Sequence, residues 1–167
     1  MRQPFAFPHD LINTSKTAAK QLYSYRNRVT EGSIISKVTE KNPTIVVIDE
    51  SRTSLSLYEL SAESLAAQLV SFASPLEAVS YLEEHDADLV FLDILMRELD
   101  GLTLVQKMRD MERHRETPVV MVTSKDYAQD RATATELGVL EFLLKPLRSQ
   151  EIRDLICKYT GAPAQTG

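Results

Sequence analysis

The segment DLVFLDILMRELDG, residues 88–101, places a carboxylate directly after a short apolar run. Residues 88–92 are almost wholly apolar on both faces, which predicts a strand buried inside a parallel sheet. An ionised Asp93 facing a dry interior costs several kcal/mol unless cations or hydrogen-bond donors offset the charge. Asp93 is therefore either a turn residue at the end of a strand or one member of a polar site whose other members lie elsewhere in the chain.

Similar apolar runs alternate with segments of helical period from residue 44 onward. This alternation predicts parallel strands joined by crossover helices, an α/β fold with a doubly wound sheet. A polar composition predicts that segment 68–73 is an edge strand, whereas the other early runs suit the interior of the sheet. The predicted strands are 44–48, 68–73, 88–92, 118–122 and 140–144.

Capping signals mark where the helices begin and end. Ser74 followed by Pro75 and then by Glu77 predicts a helix start, with an N-cap, a proline at the first helical position and a capping-box glutamate. Glycines at 138 and 161 predict helix ends, because glycine adopts the left-handed conformation without a steric penalty. The final helix is predicted to bury one face, formed by Ile152, Leu155, Ile156 and Tyr159.

Length and charge predict one domain with an appendage. The chain has 167 residues, of which 43% are apolar and 26% are charged, enough for a single core. We predict a partly helical extension at 1–42, a domain at 43–161 and a tail or linker at 162–167. The extension carries a net charge of +4 and the remainder −9, giving −5 in total. The acidic domain is a poor candidate for direct binding of nucleic acid.

Several functional classes are excluded by composition. No apolar run reaches the roughly 18 residues of a membrane span, and there is no secretion-signal pattern, so we predict a cytoplasmic protein without membrane contact. The single cysteine, Cys157, excludes an internal disulfide and a multi-cysteine metal site. The three histidines, His9, His85 and His114, have no ligand pattern around them and are predicted to lie on the surface.

Polar residues follow the predicted interior strands at the point where each strand ends. The carboxyl ends of parallel strands share one edge of a sheet, where ligands bind in this fold class, so these side chains should meet there. Clustered carboxylates repel one another unless a cation is present, and an all-oxygen ligand set favours Mg²⁺ over zinc. Acids, metal, lysine and hydroxyl together suit a phosphoryl group accepted by an aspartate. The residues concerned are Asp49, Glu50, Asp93, Thr123 and Lys145.

The joint spacing of these residues resembles the receiver domain of two-component response regulators. The resemblance covers about residues 43–161 and includes Gly101, eight positions after Asp93, and the pair Lys145-Pro146. It implies a flavodoxin-like sheet of order 2-1-3-4-5. It also implies roles for the site residues: Asp93 as phosphoacceptor, Lys145 and Thr123 as phosphoryl ligands, Thr123 with Phe142 as a switch pair, and Mg²⁺ held by Asp49, Glu50, Asp93 and the backbone carbonyl of Leu95.

Two residues depart from the pattern of this family. Position 50 is Glu where Asp is usual, so this arm of the metal site is one methylene longer. Arg97 stands where proline commonly follows methionine, which places a cation in the loop after Asp93. Phe142 also has a simpler interpretation, as an aromatic residue that only packs.

The resemblance implies a histidine kinase or phosphotransfer protein as partner and no enzymatic activity beyond the domain's own phosphorylation and dephosphorylation. Further candidate partners are a second copy that docks on the last helix-strand-helix face and an output domain beyond residue 167, and a stand-alone receiver that acts through protein contacts also stays open. Two alternatives remain open at this point. One is a pseudo-receiver that binds proteins without phosphorylation. The other is a Mg²⁺-dependent aspartyl phosphatase, which is weakened because Leu95 stands where such enzymes carry a second acid.

Overall fold

The computed structural model describes residues 42–164. Our predictions for the amino-terminal extension, for His9 and for the tail after residue 164 fall outside this range. Within it, no helix is long and apolar enough to cross a bilayer.

A parallel five-stranded sheet of order β2-β1-β3-β4-β5 organises the described residues. This confirms the predicted fold class and strand order. The three central strands are fully buried, while the two edge strands are only partly covered. The more polar composition of segment 68–73 predicted this edge position for β2. The strands are Thr44–Ile48 (β1), Gln68–Phe72 (β2), Leu89–Leu92 (β3), Val119–Thr123 (β4) and Glu141–Leu144 (β5).

Helices cover both faces of this sheet. Alternate residues of β1 point to opposite faces, so Val46 belongs to one apolar cluster and Val47 to the other. The helices of the described range are Arg52–Ala62 (α1), Pro75–Glu84 (α2), Gly101–Asp110 (α3), Ala128–Glu136 (α4) and Ser149–Thr160 (α5), with a 3₁₀ turn at Glu112–His114. The first cluster includes residues of α2 and α3, and the second includes residues of α1 and α5.

The predicted helix boundaries at 74, 138 and 161 are present. The Ser74 hydroxyl accepts a hydrogen bond from the backbone N–H of Glu77, and Pro75 is the first residue of α2. Gly138 and Gly161 follow α4 and α5 with φ values of 72° and 73°, the conformation that favours glycine.

The prediction of a surface location for His114 is wrong. Its side chain is fully buried at the end of the 3₁₀ turn. Its Nδ1 lies 3.0 Å from Thr117 Oγ1, and its Nε2 lies 2.8 Å and 3.0 Å from the carbonyl oxygens of Leu82 and His85. Carbonyl groups from a distant part of the chain therefore satisfy the hydrogen-bonding capacity of the ring. The charged residues beside His114 in the sequence gave no indication that it would be buried. His85 is exposed, as predicted.

Asp100 caps the amino terminus of α3, the helix that follows the loop after Asp93. Its carboxylate accepts hydrogen bonds from the backbone N–H of Thr103 at 3.0 Å and from the Thr103 hydroxyl at 2.6 Å. Partial burial raises the pKa of Asp100, but these hydrogen bonds outweigh it and lower the pKa overall. The cap therefore stabilises the fold above the pKa of unfolded aspartate, and this contribution is lost as the pH falls through the lowered value.

We expect Asp100→Ala to reduce the free energy of unfolding by about 1 kcal/mol at neutral pH, the usual value for an N-cap. Urea unfolding followed by circular dichroism would measure this change. The deficit should shrink under acidic conditions, where the capping carboxylate is protonated in the wild type as well. Asp110→Ala, which removes an exposed acid at the opposite end of the same helix, should cost less. An equal loss in both variants would contradict the capping role.

Candidate functional site

The candidate site lies at the carboxyl edge of the sheet, where the sequence placed it. Asp49 follows β1 and Asp93 follows β3, which is adjacent to β1 in the sheet. Backbone hydrogen bonds hold neighbouring strand ends together. Asp93 N–H donates to the Ile48 carbonyl of β1 at 3.0 Å, and Lys145 N–H, after β5, donates to the Thr123 carbonyl of β4 at 2.8 Å. The edge therefore brings residues separated by up to 96 positions into one cluster.

Lys145 joins two carboxylates at the centre of this cluster. Its Nζ lies 2.7 Å from Asp49 Oδ2 and 2.6 Å from Asp93 Oδ2. The exposed fractions of the three side chains are 21% for the lysine, 4% for Asp49 and 9% for Asp93. Burial lowers the pKa of Lys145, but the hydrogen bonds and charges of the two carboxylates raise it overall. The ammonium therefore stays charged and offsets two nearly buried acids.

The other oxygen of each carboxylate accepts a backbone hydrogen bond. Ser51 N–H donates to Asp49 Oδ1 at 2.8 Å, and Leu95 N–H donates to Asp93 Oδ1 at 3.1 Å. Ser51 is also the N-cap of α1. Both acids are thus oriented from two sides, by the lysine and by the loop that follows their own strand.

Glu50 does not join the lysine cluster. Its Oε1 accepts a 2.6 Å hydrogen bond from the backbone N–H of Arg97, and its Oε2 lies 3.2 Å from Arg97 Nε. The structure therefore directs this predicted metal ligand toward the loop between β3 and α3. We refer to these two hydrogen bonds as the Glu50–Arg97 latch.

The predicted switch pair occupies the neighbouring strands β4 and β5. Thr123 is buried, and its Oγ1 accepts a 3.3 Å hydrogen bond from Lys125 N–H. Phe142 is partly buried and packs against the core cluster that includes Met121, its partner in the strand register. The guanidinium carbon of Arg131 lies 4.4 Å from the centre of the Phe142 ring. This cation–π contact holds the aromatic side of the pair.

The donor set of the site fits a magnesium ion by its chemistry. Asp49 and Asp93 present hard carboxylate oxygens at one edge of the sheet, which is the type of donor that Mg²⁺ prefers. Across residues 42–164, no group of three or more His, Cys, Asp or Glu side chains is arranged to hold a metal. Carbonyl and water oxygens would therefore complete the coordination around two carboxylates, as is usual for Mg²⁺.

The sequence analysis did not predict the contacts of three residues in this region. Ser51 carried a signal, since a serine at the start of a helical segment is a good N-cap. Arg97 was recognised as a departure in a loop, but its pairing with Glu50 was not. The contact of Arg131 with Phe142 joins a helix to a strand, and no local pattern indicates such a pair.

Comparison with known proteins identifies the class to which this fold and site belong. Residues 45–157 match the family model of the response regulator receiver domain. The chain belongs to this family and is a receiver domain of two-component signalling.

Two relatives and one solved structure illustrate the likeness. The chain is 33% identical over 111 residues to the cyclic di-GMP phosphodiesterase response regulator RpfG of Xanthomonas campestris pv. campestris, covering 65% of this chain and 29% of that protein. It is 29% identical over 108 residues to the regulatory protein VanR of Enterococcus faecium, covering 65% and 46%. The chain thus spans less than half the length of either relative.

The solved structure is the receiver domain of a sensor histidine kinase from Pseudomonas aeruginosa PAO1, with a magnesium ion coordinated in its active site cleft. It superposes with a TM-score of 0.65 at 22% identity, covering 72% of this chain and 98% of that one. At this identity the likeness supports the fold of the chain.

Proposed function

We propose that Asp93 accepts a phosphoryl group from a phosphohistidine of a kinase or phosphotransfer protein, with Mg²⁺ bound at the site. The observation that carries this proposal is the cluster of Asp93, Asp49 and Lys145, in which one ammonium lies within 2.7 Å of both acids. A turn residue exposed to solvent needs no lysine from the end of another strand, whereas a phosphoacceptor needs a cation beside it to offset the charge of the phosphoryl group.

The proposed reaction is a transfer between two nucleophiles. A carboxylate oxygen of Asp93 attacks phosphorus, the phosphorus–nitrogen bond of the donor breaks, and the imidazole leaves with its electron pair. The product is an acyl phosphate on Asp93. Charge builds on the phosphoryl oxygens, and the ammonium of Lys145 is positioned to offset it. Asp49, Asp93 and the carbonyl of Leu95 would hold Mg²⁺, which supplies further positive charge at those oxygens when bound.

The predicted switch pair, Thr123 with Phe142, offers a route by which phosphorylation would change the surface. Thr123 is one step along the sheet from Asp93 and carries the hydroxyl that would bind the phosphoryl group. Phe142 lies on the neighbouring strand β5, opposite Met121, and would move with that hydroxyl. The altered face would be formed by α4, β5 and α5, where Leu144 and Tyr127 are exposed. We propose that a second copy of the chain or an output domain docks there.

Incubation of the full chain with acetyl phosphate and Mg²⁺, followed by intact-mass measurement, tests the proposal. We expect a single phosphoryl adduct that disappears in Asp93→Asn and on removal of Mg²⁺ with EDTA. Asp86→Asn, which changes an acid that is 73% exposed in its side chain, should retain the adduct. An adduct of equal yield on Asp93→Asn, or no adduct on the wild type, would overturn the assignment.

A second candidate function is binding of a protein partner without phosphorylation. The Glu50–Arg97 latch favours it, because this contact occupies one of the predicted metal ligands. Under this alternative the wild-type chain gives no adduct and yet binds its kinase or output partner as tightly as Asp93→Asn does. The aspartyl phosphatase has no comparable support, since position 95 carries leucine instead of an acid.

A further inference from the structure

The Glu50–Arg97 latch connects the loop after β1 with the loop after β3. It consists of two hydrogen bonds, one from the backbone N–H and one from the side chain of Arg97, and together they use both oxygens of the Glu50 carboxylate. The two residues are 47 positions apart in the chain. The contact lies beside the acid cluster, because Asp49 precedes Glu50 directly and Arg97 is four residues after Asp93.

Both departures from the family pattern are required for this contact. A proline at position 97 has no N–H, so it could not donate the 2.6 Å hydrogen bond. An aspartate at position 50 would be one methylene shorter and would present its oxygens nearer to its own backbone. Glu50 and Arg97 are therefore matched to each other.

We propose that Arg97 and Mg²⁺ compete for Glu50, so that the Glu50–Arg97 latch sets the metal affinity of the site. This inference rests on the proposed function, in which Mg²⁺ binds beside Asp49 and Asp93. A carboxylate whose two oxygens are both hydrogen-bonded must give up these bonds before it can reach the metal directly or through water. Binding is weakened by the fraction of molecules in which the latch is closed.

The two hydrogen bonds of the latch differ in strength. The Arg97 side chain is 91% exposed, so its ion pair with Glu50 is screened by solvent and weak. The hydrogen bond from the Arg97 backbone N–H is shorter and charge-assisted, and the Glu50 side chain that accepts it is only 25% exposed. Loss of the side chain alone should therefore open the latch partly, and loss of the N–H as well should open it fully.

Isothermal titration calorimetry of the full chain with MgCl₂ tests the competition. We expect Arg97→Ala to tighten Mg²⁺ binding about two- to fivefold, the range for an exposed ion pair. Arg97→Pro should tighten it at least about tenfold, since the charge-assisted bond is lost too. In a Glu50→Gln background, Arg97→Ala should not change the Mg²⁺ affinity, because the carboxylate for which Arg97 and Mg²⁺ compete is gone.

A matched charge control separates the latch from general electrostatics. Arg52→Ala removes an exposed arginine two residues from Glu50, and any effect it has should be the same with Glu or Gln at position 50. Equal Mg²⁺ affinity in the wild type, Arg97→Ala and Arg97→Pro would overturn the latch and leave the proposed function intact. An effect of Arg97→Ala that persists in Glu50→Gln would also overturn it. No Mg²⁺ binding by any of these proteins would overturn the metal site itself, and the latch with it.

Discussion

Lys145→Met is expected to lower the free energy of unfolding by about 2 to 4 kcal/mol, somewhat less than the usual cost of breaking a fully buried ion pair. The substitution keeps most of the apolar stem but removes the ammonium that lies 2.7 Å from Asp49 and 2.6 Å from Asp93. Two carboxylates with exposed fractions of 4% and 9% then face each other without a cation. Urea unfolding at neutral pH in the presence of EDTA measures the loss.

Removal of one of the acids distinguishes charge repulsion from lost packing as the cause of this loss in stability. Asp93→Asn in the Lys145→Met background should recover most of the stability, because only one charge then remains to be offset. Mg²⁺ should stabilise Lys145→Met more than it stabilises the wild type, since the cation takes over the role of the ammonium. If the double variant were as unstable as the single one, lost packing of the lysine stem would explain the effect.

Lys158→Met is the matched control for this substitution. Its Nζ lies 2.6 Å from Glu141 Oε1, as close as that of Lys145 to Asp93, but its side chain is 50% exposed. Solvent screens this pair, so we expect a loss below about 1 kcal/mol. The shortest nitrogen–oxygen distance is the same for both lysines, so the difference between the two variants reports the burial of the Lys145 pair and the presence of its second acid. Phosphorylation by acetyl phosphate should fall sharply in Lys145→Met only.

The sequence was sufficient for the sheet because its strands carry a strong local signal. Apolar runs such as Ile45 to Ile48 are buried on both faces, and a polar residue ends each one, so strand type and site location followed from the pattern. The acid cluster could be predicted for the same reason, since all strands of a parallel sheet end at one edge. Each predicted strand boundary agrees with the observed one to within one residue.

Contacts between distant side chains could not be predicted in this way. Glu50 pairs with Arg97 across 47 residues, and His114 turns inward to carbonyls near residues 82 and 85. Neither contact produces a periodic pattern in the sequence, because each depends on the direction in which one side chain points once the backbone has folded. A charged neighbourhood made His114 resemble a surface residue, although three polar partners offset the cost of burying its ring.

Gly101→Ala is expected to destabilise the fold by about 3 kcal/mol, near the upper end for an inserted methyl group. A Cβ at this position would overlap the carbonyl oxygen of Asp93 and lie 2.9 Å from the Cα of Ile94. Both are backbone atoms, so no side chain can rotate away to make room. Gly101 N–H also donates to the Ile94 carbonyl at 3.0 Å, which holds the start of α3 against this loop. Thermal or urea unfolding measures the loss.

The same methyl group should damage the candidate site as well as the fold. Relief of the clash requires movement of the Asp93 backbone, which carries the carboxylate paired with Lys145. Gly161→Ala is the matched control: its φ of 73° costs about 1 to 2 kcal/mol in alanine, but nothing lies within 4 Å of the added Cβ. We therefore expect Gly161→Ala to keep the amide resonance of Leu95 and the rate of phosphorylation by acetyl phosphate, and Gly101→Ala to alter both. Unchanged Leu95 resonance and rate in folded Gly101→Ala would mean that α3 moves instead and that the site tolerates the shift.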